Sequence, residues 1–210
     1  MPKVRPAAKS APRAWQRMLS GRRLDLLNPS PMDVEIEDIA HGLARVARWN
    51  GQTLGPNAFS VAQHSLVVEQ VVGVLKPDLP VEMRLASLLH DAPEYVIGDM
   101  ISPFKAVLGD DYKLVEVRLA HAIHQRFGLA GDMAPAMKKL VKKADLISAW
   151  MEATNLAGFS HAEADQFFIR PPDGAGAIDM TPLSPSDAQS AFLARFAAIL
   201  EEMDARRGAA

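Results

Sequence analysis

Six stretches of this 210-residue chain place apolar residues three and four apart, and none alternates them. That spacing is the period of a helix with one buried face, whereas a half-buried strand needs a period of two. The stretches cover 35–48, 60–75, 81–92, 110–127, 134–157 and 184–207. In the first, Ile36, Ile39, Ala40, Leu43, Val46 and Ala47 form the apolar stripe. The third (Met83, Leu85, Ala86, Leu88, Leu89) is apolar on more than one side, so it belongs at the centre. Ser60-x-x-Gln63 has the form of a capping box at the start of the second, and Ser184-Pro185 opens the last with a cap followed by proline. Pro77 and Pro80, the loop 50–59 and the Pro/Gly-rich loop 170–183 punctuate the stretches. The fold predicted is all-α, a bundle of six or seven helices.

Composition narrows the chemistry. The chain has no cysteine, so thiol catalysis, disulfides and Cys-ligated zinc are excluded, and any metal site must use His, Asp and Glu. No apolar run approaches the roughly 18 residues of a membrane helix. Charge is uneven: Lys3, Arg5, Lys9, Arg13, Arg17, Arg22 and Arg23 face no acid before residue 25, while the rest of the chain is net acidic. The basic leader lacks the apolar core of a secretory signal and reads as a flexible tail over 1–23, preceding one domain over 24–210. An acidic body argues against a stable nucleic-acid partner. The protein is expected in the cytoplasm.

One apolar helix ends in His90-Asp91, an ionisable pair delivered toward the interior, where desolvation must be compensated. His64 falls in the first turn of the second helix, and Asp145 interrupts the middle of the fifth. Two imidazoles and two carboxylates suit Mn²⁺, Fe²⁺, Co²⁺, Ni²⁺ or Zn²⁺. An ion there would lower the pKa of a bound water and supply a nucleophile for hydrolysis.

The order His … His-Asp … Asp resembles the HD-domain superfamily of metal-dependent phosphohydrolases, and more narrowly its 5′-deoxynucleotidase group. The matching pieces are Arg48-Trp49, Val61-Ala62-Gln63-His64-Ser65, Leu88-Leu89-His90-Asp91-Ala92-Pro93-Glu94 with Gly98-Asp99, Pro103 and Lys105, and Ala144-Asp145. They fall within residues 35–157.

The resemblance implies an HD-domain helical bundle and one divalent ion (Mn, Co, Fe, Ni, Zn or Mg) on His64, His90, Asp91 and Asp145. It also implies catalytic carboxylates at Glu94 and Asp99. Arg48 would contact the substrate phosphate, Trp49 would shape the nucleoside pocket, and Lys105 would add positive charge. The expected reaction is release of phosphate from a small phosphorylated nucleoside, such as a deoxyribonucleoside 5′-monophosphate, by attack of metal-bound water. A phosphodiesterase, a triphosphohydrolase, an alarmone hydrolase and a non-catalytic nucleotide-binding module are the alternatives. The group also implies a homodimer. Gln63, the glycine-rich loop 50–59 and the segment 158–183 depart from its pattern, and they bear on the substrate rather than the ion. His121 and His124 read as a helix face, and Lys138, Lys139, Lys142 and Lys143 as a solvated one.

Overall fold

The computed structural model describes residues 13–100 and 110–208. Among these, a two-stranded antiparallel hairpin, β1 (Trp15–Arg17) and β2 (Arg23–Asp25), precedes eight α-helices. They are α1 (Ile36–Leu43), α2 (Val61–Leu75), α3 (Val81–Leu88), α4 (Glu94–Ile97), α5 (Asp110–Arg126), α6 (Pro135–Asn155), α7 (His161–Ala164) and α8 (Pro185–Gly208). All six expected helices are present. The two additional ones, α4 and α7, are single turns, too short to show a period. The all-α expectation holds.

The hairpin corrects the reading of 1–23 as a tail, as far as residues 13–23 are concerned. Three interactions order this basic segment. Leu24 is fully buried in the core. Asp38 on α1 accepts bonds from the Ser20 amide at 3.0 Å and the Ser20 hydroxyl at 2.5 Å. The Arg13 and Arg23 guanidiniums stack on Trp15, 4.0 and 4.2 Å from its ring centroid. Residues 1–12 lie outside the described residues.

Two helix ends fall earlier than periodicity predicts. The α1 stripe runs on past Leu43, yet the Arg48 amide donates to the Phe59 carbonyl at 2.8 Å and Val61 to Val46 at 2.9 Å. This pairing lays 46–48 beside the start of α2 and carries Arg48 off the α1 face it would share with Asp38 and His41. Likewise α3 ends at Leu88, so His90 and Asp91 sit in the turn between α3 and α4 rather than on a helix. The capping box at Ser60 is half formed. Its hydroxyl accepts the Gln63 amide at 3.3 Å, but the Gln63 side chain clamps the distant segment 181–183 instead, donating to the Thr181 carbonyl and accepting from the Leu183 amide, both at 2.9 Å.

Two hydrophobic clusters meet along α2. One gathers α1, α3, α5 and α8 around residues such as Leu43, Leu85, Leu119, Phe192 and Ile199. The other joins the Val67–Val72 face of α2 to Val141, Ile147 and Met151 of α6. Fully burying one such side chain contributes roughly 1.5–3 kcal/mol, so the period-3.6 stripes supply the main drive toward the bundle against the entropy of ordering the chain. His64 lies on α2 at the seam between the clusters, fully buried.

Gly42 sets how closely α1 approaches α4. A Cβ there would lie 2.8 Å from both the Cβ and the carbonyl oxygen of Tyr95. Alanine gains about 1 kcal/mol of helix propensity over glycine, but overpacking costs about 1–3 kcal/mol. The obstacle includes backbone, so the clash wins. Gly42→Ala should lower the urea midpoint by the equivalent of about 1 kcal/mol with an unchanged slope. An unaltered midpoint would mean the two helices can part at no cost.

Candidate metal centre

Three elements converge on one point. His64 comes from the first turn of α2, His90 and Asp91 from the turn after α3, and Asp145 from the middle of α6. The Nε2 atom of His64 lies 3.4 Å from Asp91 Oδ2 and 3.4 Å from Asp145 Oδ1. The Nε2 atom of His90 is 3.2 Å from the same Asp91 oxygen. Ligand atoms held at about 2.1 Å around one ion stand roughly 3.0–3.4 Å from each other, so these spacings suit a common cation. Ligand atoms of His64, His90 and Asp145 all fall within 4.8 Å of one another.

The imidazoles are oriented for the task. His64 donates its Nδ1–H to Glu152 Oε1 at 2.5 Å, and His90 donates its own to the Ser87 carbonyl at 2.9 Å. Each ring therefore turns its Nε2 toward the shared point. Both Nε2 atoms are buried and lack a hydrogen-bond partner among the described residues. Two buried Nε2 atoms facing two carboxylates without a hydrogen bond are what a divalent ion satisfies, and the donor set fits a nitrogen- and oxygen-liganded ion.

Electrostatics point the same way. Burial and the Arg48 charge push the His64 pKa down, yet Glu152, Asp145 and Asp91 outweigh them and raise it well above the usual imidazole value. Burial works to raise the Asp145 and Asp91 carboxyls, but the facing imidazoles hold both well below the usual range. The cluster is rich in carboxylate and is stabilised by taking up positive charge. Lys142 meets the outer oxygen of Asp145 at 2.8 Å and leaves Oδ1 for the centre. The lysine row is thus exposed as expected, with one member paired to a candidate ligand.

Arg48 lies beside the centre, largely buried. Its Nη1 donates to Asp99 Oδ2 at 2.8 Å and its Nε to Glu152 Oε2 at 3.2 Å, which leaves Nη2 without a carboxylate among the described residues. Trp49 donates its indole N–H to the same Glu152 oxygen at 2.8 Å and packs on Phe159 and Phe168 with centroids 5.7 and 5.8 Å away. The turn that aims both side chains is left-handed, with φ of 56° at Trp49 and 50° at Asn50. Such a conformation costs roughly 1–2 kcal/mol at a non-glycine residue, and strain of this kind collects at functional sites. Glu94 opens α4 and is buried. Lys105 and Pro103 lie outside the described residues. His121 and His124 stay away from the centre: His121 faces Asp132 at 3.3 Å, and His124 donates to the Gly131 carbonyl at 3.1 Å.

Sequence reasoning missed Glu152 and Ser148. Glu152 is fully buried, and beyond its bonds to His64, Arg48 and Trp49 it accepts the Ser148 hydroxyl at 2.9 Å. Burial works against its negative charge, but Arg48 and His64 overcome it and keep the group ionised. The signal was present, because Asp145, Ser148 and Glu152 fall at i, i+3 and i+7 on one helix face. An acid within the apolar run Ala149–Ala153 needs a buried partner.

No known family profile matches the chain. It is 53% identical over 192 residues to the uncharacterized protein RCAP_rcc00048 of Rhodobacter capsulatus, covering 91% of this chain and 98% of that one. It is 34% identical over 167 residues to the uncharacterized protein YfdR of Escherichia coli, covering 78% and 83%. The chain belongs to the family that contains RCAP_rcc00048 and YfdR.

Proposed function

We propose that this protein is a metal-dependent phosphohydrolase of the HD-domain type, releasing phosphate from a small phosphorylated nucleoside such as a deoxyribonucleoside 5′-monophosphate. The observation that carries the reading is the pair of buried, unpartnered Nε2 atoms facing Asp91 and Asp145. His64, His90, Asp91 and Asp145 would hold the ion. A divalent ion in such a site supplies Lewis acidity toward a phosphoryl oxygen and lowers the pKa of water.

The chain's own groups do the rest. The Nη2 amino group of Arg48 hydrogen-bonds a phosphoryl oxygen, and its guanidinium offsets charge gathered on phosphorus in the transition state. Water forms the new P–O bond in line as the bond to the ribose oxygen breaks. Glu94 or Asp99 takes the proton from water and returns one to the leaving ribose oxygen. Asp99 is already oriented by Arg48.

The deciding experiment is phosphate release across a panel of nucleotides, with chelator and then with each divalent metal restored. Release from nucleoside 5′-monophosphates, lost with chelator and regained with metal, is expected. Pyrophosphate, triphosphate or diester-derived monophosphate as product would move the assignment to another bond. Bound metal with no release would leave a nucleotide-binding module. Arg48→Lys keeps the charge but not the fork. It should retain metal while kcat falls on the order of 10²-fold, the cost of one lost oxyanion donor. Wild-type turnover in that variant would remove Arg48 from the mechanism.

A further inference from the structure

We infer that Glu152 is a positioning residue that couples occupancy of the metal centre to the Arg48–Trp49 arm, one carboxylate oxygen serving each. The inference rests on the proposed ion site and adds to it a device for ordering the phosphate-binding side.

Glu152 divides its oxygens. Oε1 accepts His64 Nδ1–H at 2.5 Å and the Ser148 hydroxyl at 2.9 Å. Oε2 accepts the Trp49 indole at 2.8 Å and Arg48 Nε at 3.2 Å. The Glu152 side chain is 0% exposed, so bulk water does not screen one side from the other. The carboxylate is planar and its charge is shared between both oxygens, so a change in how strongly His64 pulls on Oε1 alters the charge that Oε2 offers to the arm. The arm depends on that charge. Its turn holds Trp49 and Asn50 in the left-handed region, and the Glu152 bonds reach the turn from α6, an element distant in the chain. Coupling of this kind is reciprocal.

An amide cannot replace the acid. In Glu152→Gln, an amide oxygen turned to His64 would leave the NH₂ group facing two donors, Trp49 and Arg48. With the NH₂ group turned to His64 instead, the imidazole would have to carry its proton on Nε2, which blocks ligation.

The test uses Zn²⁺ alone on the full chain, since a d¹⁰ ion leaves NMR signals intact. Three indole ¹⁵N–¹H resonances are expected from Trp15, Trp49 and Trp150, with Trp49→Phe assigning the second. Zn²⁺ should shift the Trp49 indole and leave those of Trp15 and Trp150 in place. Glu152→Gln should bind Zn²⁺ about 10–100-fold more weakly, and at saturation its Trp49 indole should no longer respond.

An unmoved Trp49 indole in the Zn²⁺-saturated wild-type protein overturns the inference, whether or not Glu152→Gln folds. So does a Trp49 shift of wild-type size in Zn²⁺-saturated Glu152→Gln, which would reflect mere proximity of charge. Wild-type protein that takes up no Zn²⁺ overturns the ion site itself and this coupling with it. Neither of the first two outcomes touches phosphate release, so the coupling can fail while the hydrolase reading stands.

Discussion

Asp145→Asn should abolish tight binding of divalent ions and, with it, phosphate release. The substitution preserves volume, so its effect is on chemistry. Losing a residue that merely supports a ligand costs roughly 10–100-fold in metal affinity, and a ligand should cost more. Asp145 Oδ1 faces His64 Nε2, and asparagine would present there a neutral carbonyl or a competing N–H. The check is a thermal melt with and without ion. At a free ion concentration 100-fold above Kd, wild-type protein should gain about 2.7 kcal/mol by mass action. For a chain of this size that is roughly 5–10 °C in Tm. Asp145→Asn should melt at the same temperature with and without ion. An ion-dependent rise of wild-type size in the variant would remove Asp145 from the site.

Glu69→Ala should be the most damaging substitution remote from the centre. Glu69 on α2 is 1% exposed, and Arg195 of α8 grips it in a fork at 2.8 and 3.0 Å. Arg84 of α3 adds a contact at 2.6 Å. One carboxylate thus ties three helices across both hydrophobic clusters. Removing one partner of a buried ion pair costs about 3–5 kcal/mol, because the remaining charge stays desolvated. Arg84 and Arg195 are 29% and 23% exposed, so each can turn partly to water, which places the expected loss near the lower end of that range. Chemical denaturation reads it directly, with ion binding per folded molecule unchanged. A loss below about 1 kcal/mol would show that the three-helix tie is worth no more than a surface ion pair.

Most of the helical architecture was legible in the chain. A stripe such as Phe192, Phe196, Ile199 and Met203 buries itself wherever the helix lands, so periodicity alone reports it. Helix ends were less legible. The ends of α1 and α3 depend on backbone bonds such as Arg48 to Phe59, which involve residues outside the period. The hairpin was hidden for a related reason. Its strands are three residues each, and what orders them is Leu24 in the core and Asp38 on α1.

The candidate ligands were legible as a set through the HD-domain resemblance of the order His … His-Asp … Asp, since each alone reads as a polar residue whose desolvation needs a partner. The residue that orients them was only half legible. Its helix face marks Glu152 as an acid in need of a partner, yet nothing nearby in the chain names that partner. Its partners lie 88 residues away at His64 and 104 away at Arg48. Local periodicity was enough to establish a helical bundle, and the family resemblance marked two histidines and two aspartates in it as suited to an ion. That His64, His90 and Asp145 share one point, with Asp91 against both imidazoles and Glu152 linking the site to Arg48 and Trp49, followed from the packing of α2 against α6, because hydrogen bonds act over ångströms in space and are blind to distance along the chain.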